Sequence, residues 1–161
     1  LQLLQEQGQK AHLLLVGEST RNEGNAYAQL IHDQIRDAGL QAVVHLHPYA
    51  REVAAFYKSI DVFVLSSKGE TFGTVTVEAM ASQVPIIGTN SSGTPELLGN
   101  GVYGALVAPD DAEELARAMR YLMDNPSESK AMALRAELRY QERYSKSASV
   151  QAMRKIVQQL N

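Results

Sequence analysis

The chain contains no cysteine, which excludes disulfides and thiolate chemistry. It has no apolar run long enough to cross a bilayer and no signal-peptide pattern at its start. It has no basic excess either. Fifteen Lys and Arg against eighteen Asp and Glu leave a net charge of −3, so a nucleic-acid footprint is not expected. Charges of both signs are mixed rather than blocked. There is no internal repeat, linker or low-complexity segment. No Ser/His/Asp arrangement for nucleophilic catalysis is recognisable. Gly17-Glu18-Ser19 lacks the glycines of a dinucleotide fingerprint, which counts against NAD. A cytoplasmic location fits these absences. What is present is 161 residues with 45% apolar content, enough for one domain with a real core.

Short apolar runs alternate with amphipathic segments of helical length. Leu13-Leu14-Leu15-Val16 is a first strand, ending in Gly17, and residues 26–38 form a helix stopped by Gly39. Strands follow at 42–46, 62–66, 85–89 and, more weakly, 104–107. Helices are expected at 51–59 and 75–82. Apolar rather than alternating strands indicate burial on both faces. Their alternation with helices indicates a parallel sheet. The expected fold is therefore α/β, a Rossmann-like parallel sheet sandwiched by helices. The remainder is helical. Asp110 is an expected N-cap with Glu113 three residues on, as in a capping box. Pro126 opens a further helix. A last helix carries Val150, Met153, Ile156, Val157 and Leu160 on one face.

Ligands bind such sheets beyond the carboxyl ends of the strands. Here those ends carry Gly17-Glu18-Ser19-Thr20, His47-Pro48-Tyr49, residues 66–73 and residues 89–94. The third is the richest. Gly73 lets a ligand approach the backbone, and the N–H groups of Gly73, Thr74 and Val75 open a helix, which suits an anion. Glu70 on the turn and Glu78 on the helix bracket that start, each able to accept the hydroxyls of a sugar diol. Lys68 is a candidate cation for the same anion. The spacing of two glutamates is by itself a weak signal; its setting between a strand and a helix strengthens it. The fourth end reads two ways, as a second amide array or as plain structure, with Thr94 as cap and Pro95 at the first helical position. His45 and His47 share a strand face, yet too few partners surround them for a metal site. His12 and His32 read as surface or strand-edge residues.

Ser66-Ser67-x-x-Glu70-x-Phe72-Gly73-x-x-x-x-Glu78-Ala79-Met80-Ala81 resembles the E-x7-E signature of retaining glycosyltransferases of family 4, the group 1 glycosyltransferases of GT-B fold. Ile60-Asp61-Val62-Phe63-Val64, Val84-Pro85-Ile86-Ile87, Gly93-x-Pro95-Glu96 and Gly104-x-Leu106-Val107-x-Pro109 resemble further motifs of that family, in the same order. The resemblance implies the C-terminal, donor-binding half of such an enzyme. It implies that Glu70, the catalytic candidate, contacts the donor sugar and that Glu78 binds the ribose hydroxyls. Phe72, Gly73, Thr74 and Val75 would complete the donor site. Gly17, His47, Pro48 and Ser66 are candidates to line the nucleotide pocket. The substrate would be a nucleoside-diphosphate sugar, with no metal cofactor, and the reaction hexosyl transfer to a glycan, lipid or small acceptor. A non-catalytic nucleotide- or sugar-binding module and a related nucleotide-sugar epimerase are the alternatives. Gln83 and Ser92 stand where the family usually has glycine.

The resemblance also implies that an acceptor domain, a first sheet strand and the cations next to it precede Leu1. The expected organisation is thus a single donor-binding domain over 1–161, truncated at its N-terminus and inactive alone. Its helix at 145–161 is a candidate to pack on the absent half, leaving its apolar face partly exposed. A peripheral contact with the inner face of the membrane would run through that absent half. The lost strand would be the central one. The strands at 13–16 and 62–66 would then expose unpaired backbone, with a gap, a collapsed sheet or pairing with another chain as the outcome, and a continuous, fully paired sheet joining them would contradict this expectation.

Overall fold

The computed structural model describes residues 1–17, 26–48 and 53–159. They divide into two compact units, Leu1–Val53 and Ala54–Asn161. The first holds α1 (Gln2–Glu6), β1 (Leu13–Val16), α2 (Ala26–Asp37) and β2 (Val44–His47). β1 and β2 pair in parallel, with Leu13 opposite Val44 and Val16 opposite His47. After α3 (Val53–Tyr57), the second unit contains β3 (Phe63–Leu65), α4 (Thr74–Ala81), β4 (Ile86–Thr89) and α5 (Thr94–Leu97). It continues through a 3₁₀ turn at Gly99–Gly101 to β5 (Ala105–Val107), α6 (Ala112–Asp124), α7 (Pro126–Arg143) and α8 (Lys146–Gln159). Its sheet runs β3-β4-β5, all parallel. Among the described residues no ladder joins β1 to β3.

The α/β alternation is as expected, but two-sided burial is not general. Among the described strands only β4 is buried along its whole length. It is the central strand of its sheet, with α4, α5 and α6 packed on it. β1 and β2 are each edge strands of a two-stranded ladder, and Leu15, Val16 and Leu46 are exposed. An apolar strand is buried only where neighbours exist to cover it. Ile87, Val107, Leu122 and Met132 centre the core of the second unit, with Val62, Val64, Leu115 and Met119 packed against them. α4 packs on α7. Ala79, Met80, Met132, Ala133 and Ala136 are among the buried residues of these two helices.

Local chemistry sets the helix ends. α4 closes in a Schellman motif: Val84 N–H donates to Ala79 O, and Gln83 N–H to Met80 O. The motif needs a left-handed residue at Gln83, whose φ is 56°. Ser92 is left-handed too, at 53°. The start of α6 corrects the expected cap by one residue. Asp111 is the N-cap, and its carboxylate accepts Glu114 N–H at 2.7 Å. Asp110 instead takes φ 60° and pairs with Lys68. Glu114 turns back to accept Ala108 N–H at 2.6 Å.

α8 displays Val150, Met153, Ile156 and Val157 on its surface, each between 43% and 66% exposed. Its apolar face is thus not absorbed into the local core. Leu160, together with Glu18, Ser19, Thr20, Tyr49, Arg51 and Glu52, lies outside the described residues.

Candidate functional site

The signature turn is built at the carboxyl end of β3. The chain leaves Leu65, crosses residues 66–72 and enters α4 through Gly73, whose φ of 70° and ψ of 53° are left-handed. A side chain at Gly73 would also press on Leu97 Cδ2 at 3.1 Å and Thr76 Oγ1 at 3.3 Å. Glycine therefore serves both the backbone conformation and the close packing.

Glu70 lies on the turn and is half-buried. Its Oε1 accepts Gly73 N–H at 3.0 Å. The first of the three expected amides is therefore engaged by Glu70. Gly73 O is taken by Thr76 N–H and Val77 N–H. Among the described residues, the N–H groups of Thr74 and Val75 find no acceptor, as helix geometry requires of a first turn. Both residues are exposed. Two donors and the positive end of the α4 dipole thus face outward. Glu78, one turn on, is half-buried.

Glu78 does not stand alone. The Tyr57 hydroxyl, at the end of α3, shares its one proton between Val75 O at 2.9 Å and Glu78 Oε2 at 3.3 Å. Tyr57 is 3% exposed, and its ring meets Phe56 and Phe63 edge-on. Burial first, then the Glu78 charge and the hydrogen bond to it, push the Tyr57 phenol well above its ordinary value. The group stays a protonated donor at any physiological pH.

The fourth strand end resolves to a supporting role. Thr89 Oγ1 donates to Ser67 O at 2.6 Å and approaches Leu65 O at 3.1 Å. Ser91 Oγ donates to Lys68 O at 2.7 Å, and Gly93 N–H to Glu70 O at 3.0 Å. Three alternate residues of this loop thereby hold the signature turn by its carbonyls. Thr94 is not a cap: α5 starts from Gly93, and Thr94 Oγ1 is buried without a partner. A helix this short, tied to the turn behind it, presents no second anion site.

Phe72 is 57% exposed and touches Tyr144 edge-on, with centroids 6.2 Å apart. Lys68 forms an exposed ion pair with Asp110 at 2.8 Å, so an anion would draw it away from that partner. Ser66 is exposed just beyond β3. Gly17, His47 and Pro48 gather at the end of the first unit's ladder. Gly17 N–H donates to His47 O at 3.0 Å, and His47 Nδ1–H to Pro48 O at 2.7 Å. His45 pairs with His12, ring nitrogens 3.0 Å apart. No group of three or more metal-ligating side chains occurs among the described residues. Tyr57 escapes sequence reasoning, as does the bracing role of Thr89 and Ser91 within the strand end at 89–94. Gly93, within the Gly-x-Pro-Glu motif, is the one signal that this loop approaches another backbone closely.

Parallel α/β layers with an open helix start at a strand's carboxyl end define a Rossmann-like ligand-binding class. Within that class the chain belongs to the group 1 glycosyltransferases: the family described as glycosyl transferases group 1 matches residues 1–139. A D-inositol 3-phosphate glycosyltransferase of Corynebacterium kroppenstedtii is 32% identical over 126 residues, covering 77% of this chain and 28% of the relative. Among solved structures, HepE of Anabaena in complex with UDP superposes with a TM-score of 0.87 at 25% identity, over 92% of this chain and 41% of that one. Sucrose-phosphate synthase of Thermosynechococcus elongatus gives 0.86 at 26% identity, over 99% and 41%. The fold class is that of the C-terminal half of a GT-B glycosyltransferase. The chain spans under a third of the curated relative's length.

Proposed function

We propose that this chain is the donor-binding part of a retaining glycosyltransferase, which transfers a hexosyl group from a nucleoside-diphosphate sugar to a glycan, lipid or small acceptor. The observation that carries the reading is the helix start flanked by two carboxylates. Thr74 and Val75 N–H face outward, with Glu70 on one side and Glu78 one turn along α4. The amides and helix dipole suit the diphosphate. Glu78 accepts the ribose hydroxyls, and Glu70 the sugar. Amides already in place where charge develops on the departing diphosphate stabilise it electrostatically. Glu70 holds Gly73 N–H in the free site, so donor binding exchanges that hydrogen bond for one to the ligand. The UDP bound by HepE supports a nucleotide on this fold. The glycosyltransferase relative supports transfer as the reaction. The rest of a longer protein supplies the acceptor side and the cations that offset the carboxylates.

Calorimetry tests the reading. The chain is titrated with UDP, GDP, ADP and their glucose conjugates, beside Glu78→Ala and Glu70→Ala. The expected result is that one nucleoside diphosphate binds best and that Glu78→Ala weakens it about tenfold or more, as for a charged hydrogen-bond partner. Glu70→Ala should act mainly on the sugar conjugate. Equal binding of every nucleotide by wild type and Glu78→Ala would remove the ribose role.

A further inference from the structure

We propose that Tyr57 is the positioning residue that aims Glu78 at the ligand diol, and so sets how strongly the site discriminates a ribonucleotide from its dideoxy counterpart. The inference rests on the donor-site reading above. A free glutamate on a helix samples several rotamers, and each one frozen on binding weakens affinity. Here the Tyr57 hydroxyl sits 2.9 Å from Val75 O and 3.3 Å from Glu78 Oε2. One buried donor thus ties the first turn of α4 to the carboxylate one turn on. Val75 also supplies one of the two outward amides. Holding Oε2 from the protein side leaves Oε1 and the remaining lone pairs of Oε2 for the ligand. The Tyr57 ring is itself held edge-on by Phe56 and Phe63, with centroids at 5.3 and 5.6 Å, so the hydroxyl has little freedom to move.

Tyr57→Phe removes only the hydroxyl and keeps these ring contacts. A melt verifies that the variant folds. The probes are UDP, GDP and ADP, each with its 2′,3′-dideoxy counterpart, titrated into wild type, Tyr57→Phe, Glu78→Ala and the double variant. Tyr57→Phe is expected to weaken the best ribonucleotide about three- to tenfold, the range of one hydrogen bond, and to leave its dideoxy counterpart unchanged. In the Glu78→Ala background the same substitution should have no further effect. An equal loss for both sugars would make Tyr57 a merely structural clamp on α4 and overturn the inference. So would no loss for either, and in both cases the donor-site reading would stand. A wild-type chain that binds none of the probes, or cannot distinguish ribo from dideoxy, would overturn the diol reading and this inference together.

Discussion

Gly93 offers a sharp test of how the candidate site is held. It sits at φ −79°, ψ −11°, where any residue is comfortable, so alanine meets no backbone strain. Space is the difficulty. A Cβ at this position would lie 2.5 Å from Thr71 O and 3.2 Å from Glu70 O. Both are backbone atoms and cannot rotate aside. Restoring an ordinary contact of 3.4 Å requires a retreat of 3.4 − 2.5 = 0.9 Å. A retreat of that size stretches the Gly93 N–H bond to Glu70 O from 3.0 Å to beyond hydrogen-bonding range. Losing the bond costs about 1 kcal/mol, and overpacking costs about 1–3 kcal/mol. Against this, alanine in place of glycine restricts the unfolded chain and returns about 0.4–1 kcal/mol. The net expectation is a loss of about 1–3 kcal/mol, or a fall in Tm of roughly 3–10 °C for a chain of this length. Gly69 is the control. It lies on the same turn, has φ outside the left-handed region, and a Cβ added there would meet nothing within 4 Å. Gly69→Ala should be neutral or slightly stabilising. Urea denaturation followed by far-UV circular dichroism reads both. If the two variants agree within about 0.5 kcal/mol, the ordinary scatter of surface substitutions, the loop around Gly93 does not hold the signature turn.

Gln83→Gly and Ser92→Gly should each stabilise the chain by about 0.5–1 kcal/mol, because left-handed strain of about 1–2 kcal/mol is relieved at a smaller entropic cost; alanine at either position should give no gain in the same urea denaturation. Asp111→Ala should cost about 1 kcal/mol through the lost cap of α6, whereas Asp110→Asn, which removes the exposed pair but keeps a side chain suited to left-handed backbone, should stay well below that. Stability should fall at alkaline pH through Tyr57. Its folded value is raised, so its contribution is complete below the unfolded phenol value of about 10 and is lost as pH rises from there towards the folded value. The slope is about 1.4 kcal/mol per pH unit for this one group. Tyr57→Phe should flatten that limb of a pH–stability curve, and an unchanged slope would refute the assignment.

The sequence by itself determined what is local. The alternation of apolar runs and amphipathic helices set the parallel α/β class, since each pattern follows from the period of its own backbone. The Ser66-to-Ala81 stretch encoded a turn, a glycine and a helix start within sixteen contiguous residues, so the outward amides and their flanking carboxylates could be read directly. Even there, two adjacent aspartates each followed by a glutamate at the same interval left the α6 cap ambiguous. The left-handed Asp110 decided it. Tertiary structure alone decided the rest. Tyr57 reaches Glu78 across 21 positions, and Thr89, Ser91 and Gly93 reach the turn across more than 20. The loop contacts exist because β3 and β4 are neighbouring parallel strands whose carboxyl ends come together, and the Tyr57 contact exists because α3 and α4 meet at its hydroxyl; no pattern within one element announces its neighbour. Burial obeys the same logic. β1 and β4 are both apolar, yet among the described residues only β4 has a strand on each side, and it is the one buried throughout.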